Sequence, residues 1–151
     1  MTKQQLQDEL KKSMLARSAE KTSVLRMILS AVNYYEINKG GAGYEATEED
    51  VMNVIQTQAK QRRDSIEQFV AGNREDLADK ERKELELIQQ YLPKQMPESD
   101  VETLVIEAIK QTAASTPQDM GKVMAFLMPQ TKGKADGSLV SMLVKKHLSK
   151  N

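Results

Sequence analysis

The residues best suited to chemistry lie in one short stretch, Thr131-Lys-Gly-Lys-Ala-Asp-Gly-Ser138. Two ammonium groups flank a glycine, and Asp136 stands where a helix would begin. Ammonium groups and the outward amides of a helix N-terminus both favour an anion, so a phosphate oxygen suits this set. Nucleotide hydrolysis does not. A phosphate loop needs Gly, four residues, then Gly-Lys-Ser/Thr after a strand, and here Ala135 follows Lys134. Lysine and glycine are also ordinary loop residues, and a capping Asp136 would occupy some of those amides. A grip on phosphate and a simple corner are both open.

Other candidates reduce to structural roles. Gly121 lies early in a predicted helix, where glycine costs about 1 kcal/mol relative to alanine. With Ala125 one turn on, it is expected to let another helix approach closely. Met120, Met124, Leu127 and Met128 read as core. Positions 51, 55, 58, 62, 66 and 69 share one helical face, which places Arg62 on an apolar stripe and calls for a carboxylate, Glu36 or Glu84. Lys60 and Arg63 read as a solvated face. The single histidine, His147, has no partner at a recognisable spacing and is expected to face solvent or fill a packing gap. Serines occur without a nucleophile elbow, and no carboxylate pair suggests acid-base work. No catalytic residue, metal site or cofactor is therefore expected.

Composition sets the frame that must position these groups. The chain has 151 residues, 39% apolar and 29% charged, with nine Met, two Phe, four Tyr and no Trp. So few aromatic residues favour helices over a sheet. The absence of cysteine excludes disulfides, thiolate metal sites and a thiol nucleophile. The start, MTKQQLQDELKK, has no apolar signal core, and no run approaches the ~18 apolar residues of a membrane span. A cytoplasmic protein without a membrane partner is expected. Formal charge is zero, yet residues 120–151 hold six lysines (122, 132, 134, 145, 146, 150) against one acid, Asp136. This end carries +5 and the remainder −5.

Caps and apolar spacing divide the chain into helices. The first carries Leu6, Leu10 and Met14. The second begins between Ser18 and Thr22, buries Leu25, Ile28, Leu29 and Val32, and stops at Gly40-Gly41. Thr47 before Glu48-Glu49-Asp50 caps a third, which runs through Val70 to Gly72. Asn73 is expected to cap a fourth that carries Leu77, Leu85, Ile88 and Leu92. Pro93 and Pro97 then interrupt the pattern. Ser99 with Glu102 reads as a capping box for a fifth helix, Thr116-Pro117-Gln118-Asp119 opens a sixth, and Asp136 caps a seventh. The expected architecture is all-α with two helical subdomains: a four-helix bundle over 1–92, a Pro-containing hinge over 93–98, and a three-helix unit over 99–151.

Several segments together resemble a known family. Asp119-Met-Gly-Lys-Val-Met124, Met128-Pro129 and Lys132-Gly-Lys-Ala-Asp-Gly-Ser-Leu-Val140 are similar to the YqeY-like signature. Val24-Leu-Arg-Met27, Lys60-Gln-Arg-Arg-Asp-Ser-Ile-Glu67 and Tyr91-Leu-Pro-Lys-Gln95 extend the likeness over nearly the whole chain. The last 50 or so residues are also similar to the tail domain of the B subunit of the tRNA-dependent amidotransferase, a tail that contacts the tRNA body. Gly121, Val123, Met124, Lys132, Gly133, Lys134, Ala135, Leu139 and Val140 match the tail's pattern, whereas Asp136-Gly137 stands where the tail often has Asn-Pro.

The expectation that follows is a non-catalytic accessory protein that binds tRNA or another structured RNA, with Gly121, Lys122, Lys132, Gly133, Lys134, Lys145 and Lys146 as the binding residues. An aminoacyl-tRNA-handling protein is the second candidate partner, and no DNA specificity is expected. The alternatives are a protein-protein adaptor and an accessory subunit of the amidotransferase. A label such as carbon-nitrogen ligase with glutamine as amido-N-donor follows from resemblance only.

Overall fold

A computed structural model describes residues 1–149; Lys150, counted above in the basic end, lies outside the described residues. They form seven α-helices with one 3-10 turn, so the all-α class holds. The chain divides into two compact units, Met1–Leu92 and a second from Pro93 onward.

The first unit comprises α1 (Lys3–Leu15), α2 (Ala19–Gly40), α3 (Glu48–Ala71) and α4 (Glu75–Gln89). Its core joins Leu6 of α1 to Val24, Leu25, Ile28 and Val32 of α2, Val51, Ile55 and Ala59 of α3, and Ile88 of α4. Met14 departs from the expected stripe and is half exposed, while Ser13 is buried. Each four-residue step advances a side chain by about 40° beyond a full turn, so the stripe beginning at Leu6 and Leu10 returns inward at Ser13 rather than Met14. The Ser13 hydroxyl is satisfied by the Thr22 hydroxyl at 2.7 Å and the Ser18 carbonyl at 3.2 Å.

The helix ends correct the sequence reading more than the helix bodies do. Asn73 does not cap α4. It lies in the left-handed region at φ 56° and ends α3, with Asn73 N–H donating to Val70 O and Arg74 N–H to Phe69 O. Gly72, the expected stop, is the C-cap at φ −86°, and the left-handed residue comes one position later. Arg17 closes α1 in the same way, through bonds to Met14 O and, from Ser18 N–H, to Ser13 O; Ala113 closes α5 through Lys110 O and, from Ala114, Ile109 O. All three are paired-bond C-caps of the kind glycine usually supplies.

The connection between α2 and α3 is tied to the bundle by two carboxylates. Asp50 accepts from Tyr35 and Tyr44 hydroxyls and the Lys39 ammonium, each at 2.7 Å, and completes a capping box with Thr47. Glu36 accepts from Ala46 N–H at 2.8 Å and pairs with Lys3. The Lys39 ammonium also sits 5.3 and 5.2 Å from the Tyr35 and Tyr44 ring centres, within cation-π range.

The second unit comprises α5 (Glu98–Thr112), α6 (Met120–Thr131) and α7 (Gly137–Ser149). Val101, Val105 and Ala108 pack with Val123 and Leu127 of α6 and Val140, Leu143, Val144 and Leu148 of α7. α5 begins one residue before the expected capping box. Pro97 is its N-cap, and Ser99 lies inside the helix, its carbonyl accepting from the Thr103 hydroxyl. Proline is suited to this edge because the amide it lacks would be an orphan there. The expected opening of the sixth helix is a capping box, formed by Thr116 and Asp119 around the 3-10 turn Pro117–Asp119, which leads directly into α6.

Candidate functional site

The loop between α6 and α7 is a built turn. Lys132 has φ −58° and ψ 123°, Gly133 has φ 80°, and Lys134 N–H donates to Thr131 O at 2.9 Å. These angles define a type II turn, whose third residue needs a positive φ and therefore favours glycine. Ala135 N–H donates to the same carbonyl, and Asp136 caps α7 by accepting from Ser138 N–H at 3.0 Å. Gly133 is buried while Lys132 and Lys134 on either side are exposed. Turning the chain uses the Thr131 carbonyl, the positive φ of Gly133 and the Asp136 cap.

A segment absent from the expected site braces this turn. Met96 N–H donates to Lys134 O at 2.8 Å, and the Gln95 side-chain amide donates to Gly133 O at 2.9 Å and Pro93 O at 2.8 Å. Residues 93–98 thus belong to the second unit, and Gln95 and Met96 among them bond to its basic loop. In the sequence, Gln95 is marked only by the family-like run Tyr91-Leu-Pro-Lys-Gln95.

The seven candidate residues do not form one patch. Lys132, Gly133 and Lys134 share the turn. Lys122 stands on the first turn of α6, ten residues away and hence about 15 Å along the helix axis. α7 touches both α6 and the 3-10 turn before α6, so it runs back along α6 and carries the exposed Lys145 and Lys146 toward that far end. Lys122 also faces Asp119, whose carboxyl is held below its usual range by Ser115 and Thr116 amides, with a smaller contribution from Lys122.

Three neighbouring expectations change. Gly121 is exposed, and a Cβ added there would meet nothing within 4 Å, so helix packing does not explain it. Met128 is 45% exposed and not core. His147 is mostly buried against α5, with Nε2 2.8 Å from Glu102 Oε1, a partner 45 residues away that no local spacing reveals. In the first unit Arg62 is indeed inward, at 18% side-chain exposure. It meets Glu84 at 2.9 Å and Glu81 at 3.3 Å, while Glu36 serves Lys3 instead. Among the described residues no helix is long and apolar enough to cross a membrane.

Comparison with known proteins agrees with the sequence resemblance. The family model for YqeY-like proteins matches residues 3–148. A Candida glabrata protein named "Altered inheritance of mitochondria protein 41, mitochondrial" is 34% identical over 115 residues, covering 74% of this chain and 62% of the relative. Its namesake in Saccharomyces cerevisiae strain YJM789 is 32% identical over 125 residues, covering 79% and 66%, and that in Vanderwaltozyma polyspora is 38% identical over 87 residues, covering 58% and 46%. The chain spans at most about two thirds of the length of these relatives. Their mitochondrial names overturn the cytoplasmic location expected from the lack of an apolar leader and of a membrane-length apolar run.

Proposed function

The chain belongs to the YqeY-like family, and on that premise we propose that it is a non-catalytic RNA-binding accessory protein whose second unit engages phosphates of a folded RNA such as tRNA. The observation that carries this reading is the pair Lys132 and Lys134, both exposed and presented on either side of Gly133 by a type II turn. The resemblance of the last 50 or so residues to the amidotransferase tail points to tRNA among structured RNAs. Six aromatic residues in the whole chain leave little capacity for stacking on unpaired bases, so recognition is by phosphate and shape. Lysines at both ends of the α6–α7 hairpin can reach phosphates about 12–15 Å apart rather than a single one.

The test is a titration with unmodified tRNA across a salt series. Lys132→Glu with Lys134→Glu should leave the melting temperature nearly unchanged, because exposed charges contribute little to stability. The same double change should weaken tRNA binding and flatten the dependence of log affinity on log salt by up to ~2 units. Wild-type protein with no tRNA affinity at low salt, or a charge-reversed variant that binds as well as wild type, would remove the reading.

A second reading, a protein-protein adaptor, is favoured by apolar side chains that the second unit leaves in solvent. Ile106, Phe126, Met128 and Met142 are 40, 40, 45 and 56% exposed. An adaptor would retain its partner after the lysine reversal and lose it when Phe126 and Met142 become serine. Service as an accessory subunit of the amidotransferase rests on resemblance alone; co-purification with that enzyme tests it.

A further inference from the structure

The phosphate reading of the turn makes no use of the segment that braces it. Pro93 and Pro97 bracket this segment and withhold their own amides. Of the donors between them, Gln95 Nε2 reaches two carbonyl oxygens, Pro93 O at 2.8 Å and Gly133 O at 2.9 Å, and Met96 N–H reaches Lys134 O at 2.8 Å. Two carbonyl partners fix the orientation of the Gln95 amide, since its oxygen in that position would face two acceptors.

The bonded carbonyls belong to the central glycine of the turn and to the lysine that follows it. A carbonyl oxygen is partly negative and opposes an approaching phosphate. Donors supplied from residues 95 and 96 satisfy both oxygens on the braced side, and they restrain the two peptide units on either side of Lys134, the first of which begins at the residue after Lys132.

We propose that Gln95 is a positioning residue for the phosphate-binding lysines: its side-chain amide clamps Gly133 O and thereby fixes the Lys132–Lys134 turn in its binding form. This rests on the phosphate reading above and adds to it the residue that shapes the site. Gln95 contributes no charge and touches no phosphate. Its removal acts only through the turn.

The test uses the full chain and Gln95→Met, which keeps length and apolar stem but has no donor. Without RNA, amide exchange at Met96, Lys134 and Ala135 should quicken about fivefold, as the loss of one hydrogen bond allows, while exchange in α1–α4 stays unchanged. With tRNA, the dissociation constant should rise about three- to tenfold and the salt slope should fall by about one. In a Lys132→Gln, Lys134→Gln background the same Gln95→Met change should have no effect on tRNA affinity, because a positioning residue has nothing left to position. Unchanged exchange at Lys134 overturns the clamp irrespective of RNA. Wild-type binding matched by Gln95→Met overturns the positioning role and leaves the phosphate reading standing, whereas a wild-type protein that does not bind tRNA overturns both.

Discussion

Replacing Arg62 by alanine should destabilise the first unit far more than the same change at Arg63. The Arg62 side chain is 18% exposed, and its Nε lies between Glu84 Oε2 at 2.9 Å and Glu81 Oε2 at 3.3 Å, with Nη2 directed at the Met27 sulfur of α2. Arg62 therefore joins α3 to α4 and α2 at one point. Arg62 Nε and Glu81 Oε2 are fully buried and at ion-pair distance without hydrogen-bond alignment, so charge rather than directional bonding joins these two atoms. Removal of one partner from a fully buried pair costs about 3–5 kcal/mol. Glu81 and Glu84 retain 18 and 27% exposure, which lets water replace part of the lost interaction and brings the figure to about 2–3 kcal/mol. For a unit of this size that lowers the melting temperature by about 10 °C or more. Arg63 is only partly buried and keeps an interaction of its own, so Arg63→Ala should cost less, up to about 1 kcal/mol. Thermal melts of both variants, followed by circular dichroism, measure the difference. A cycle with Glu84→Gln should show a coupling of about 1 kcal/mol or more between positions 62 and 84. Equal melting temperatures for Arg62→Ala and Arg63→Ala, or additive behaviour in the cycle, would refute the argument.

Other perturbations test other parts of the fold. Asp50 is held well below the usual carboxylate range by Lys39, then Tyr44 and Tyr35, so its stabilisation is present above pH ~4 and declines as pH falls further. Asp50→Asn should lower stability at neutral pH and flatten that acid limb, which urea denaturation at pH 7, 4 and 3 will show. Ala113→Gly should raise stability by up to about 1 kcal/mol in the same denaturation assay, because alanine at φ 53° bears a cost that glycine avoids. Gly121→Ala should also stabilise, by about 1 kcal/mol, since a methyl group there meets open space and restores helix propensity; a simultaneous fall in tRNA affinity would mean that a ligand uses the space.

The all-α class and most helix bodies were legible in the sequence because they follow from local rules. Thr47 before three acids announces α3, and Thr116-Pro117-Gln118-Asp119 announces the entry to α6, because a capping box closes within four residues. The inward position of Arg62 follows from a 3.6-residue period. Positions where two local solutions compete were not legible. Asn73 can cap the next helix or end the previous one in the left-handed region, and closure of α3 onto Val70 and Phe69 decides for the second. Ser99 matches a capping box, yet Pro97 starts the helix first.

The sequence offered Glu84 for Arg62 only as one of two choices, and the selection among partners distant in sequence belongs to the tertiary structure. Glu102 for His147, Glu81 for Arg62 and Gln95 for Gly133 lie 45, 19 and 38 residues from the groups they meet, and no periodicity within one helix encodes such a separation. The candidate site shows the same division. Its lysines and the glycine between them were readable as residue types that suit phosphate, and Gly133 was readable as a turn. The exposure of both lysines, the distance that separates them from Lys122, Lys145 and Lys146, and the brace from Gln95 and Met96 depend on how α5, α6 and α7 pack. Residue chemistry is carried by each position, whereas direction and company are set only when the helices close on one another.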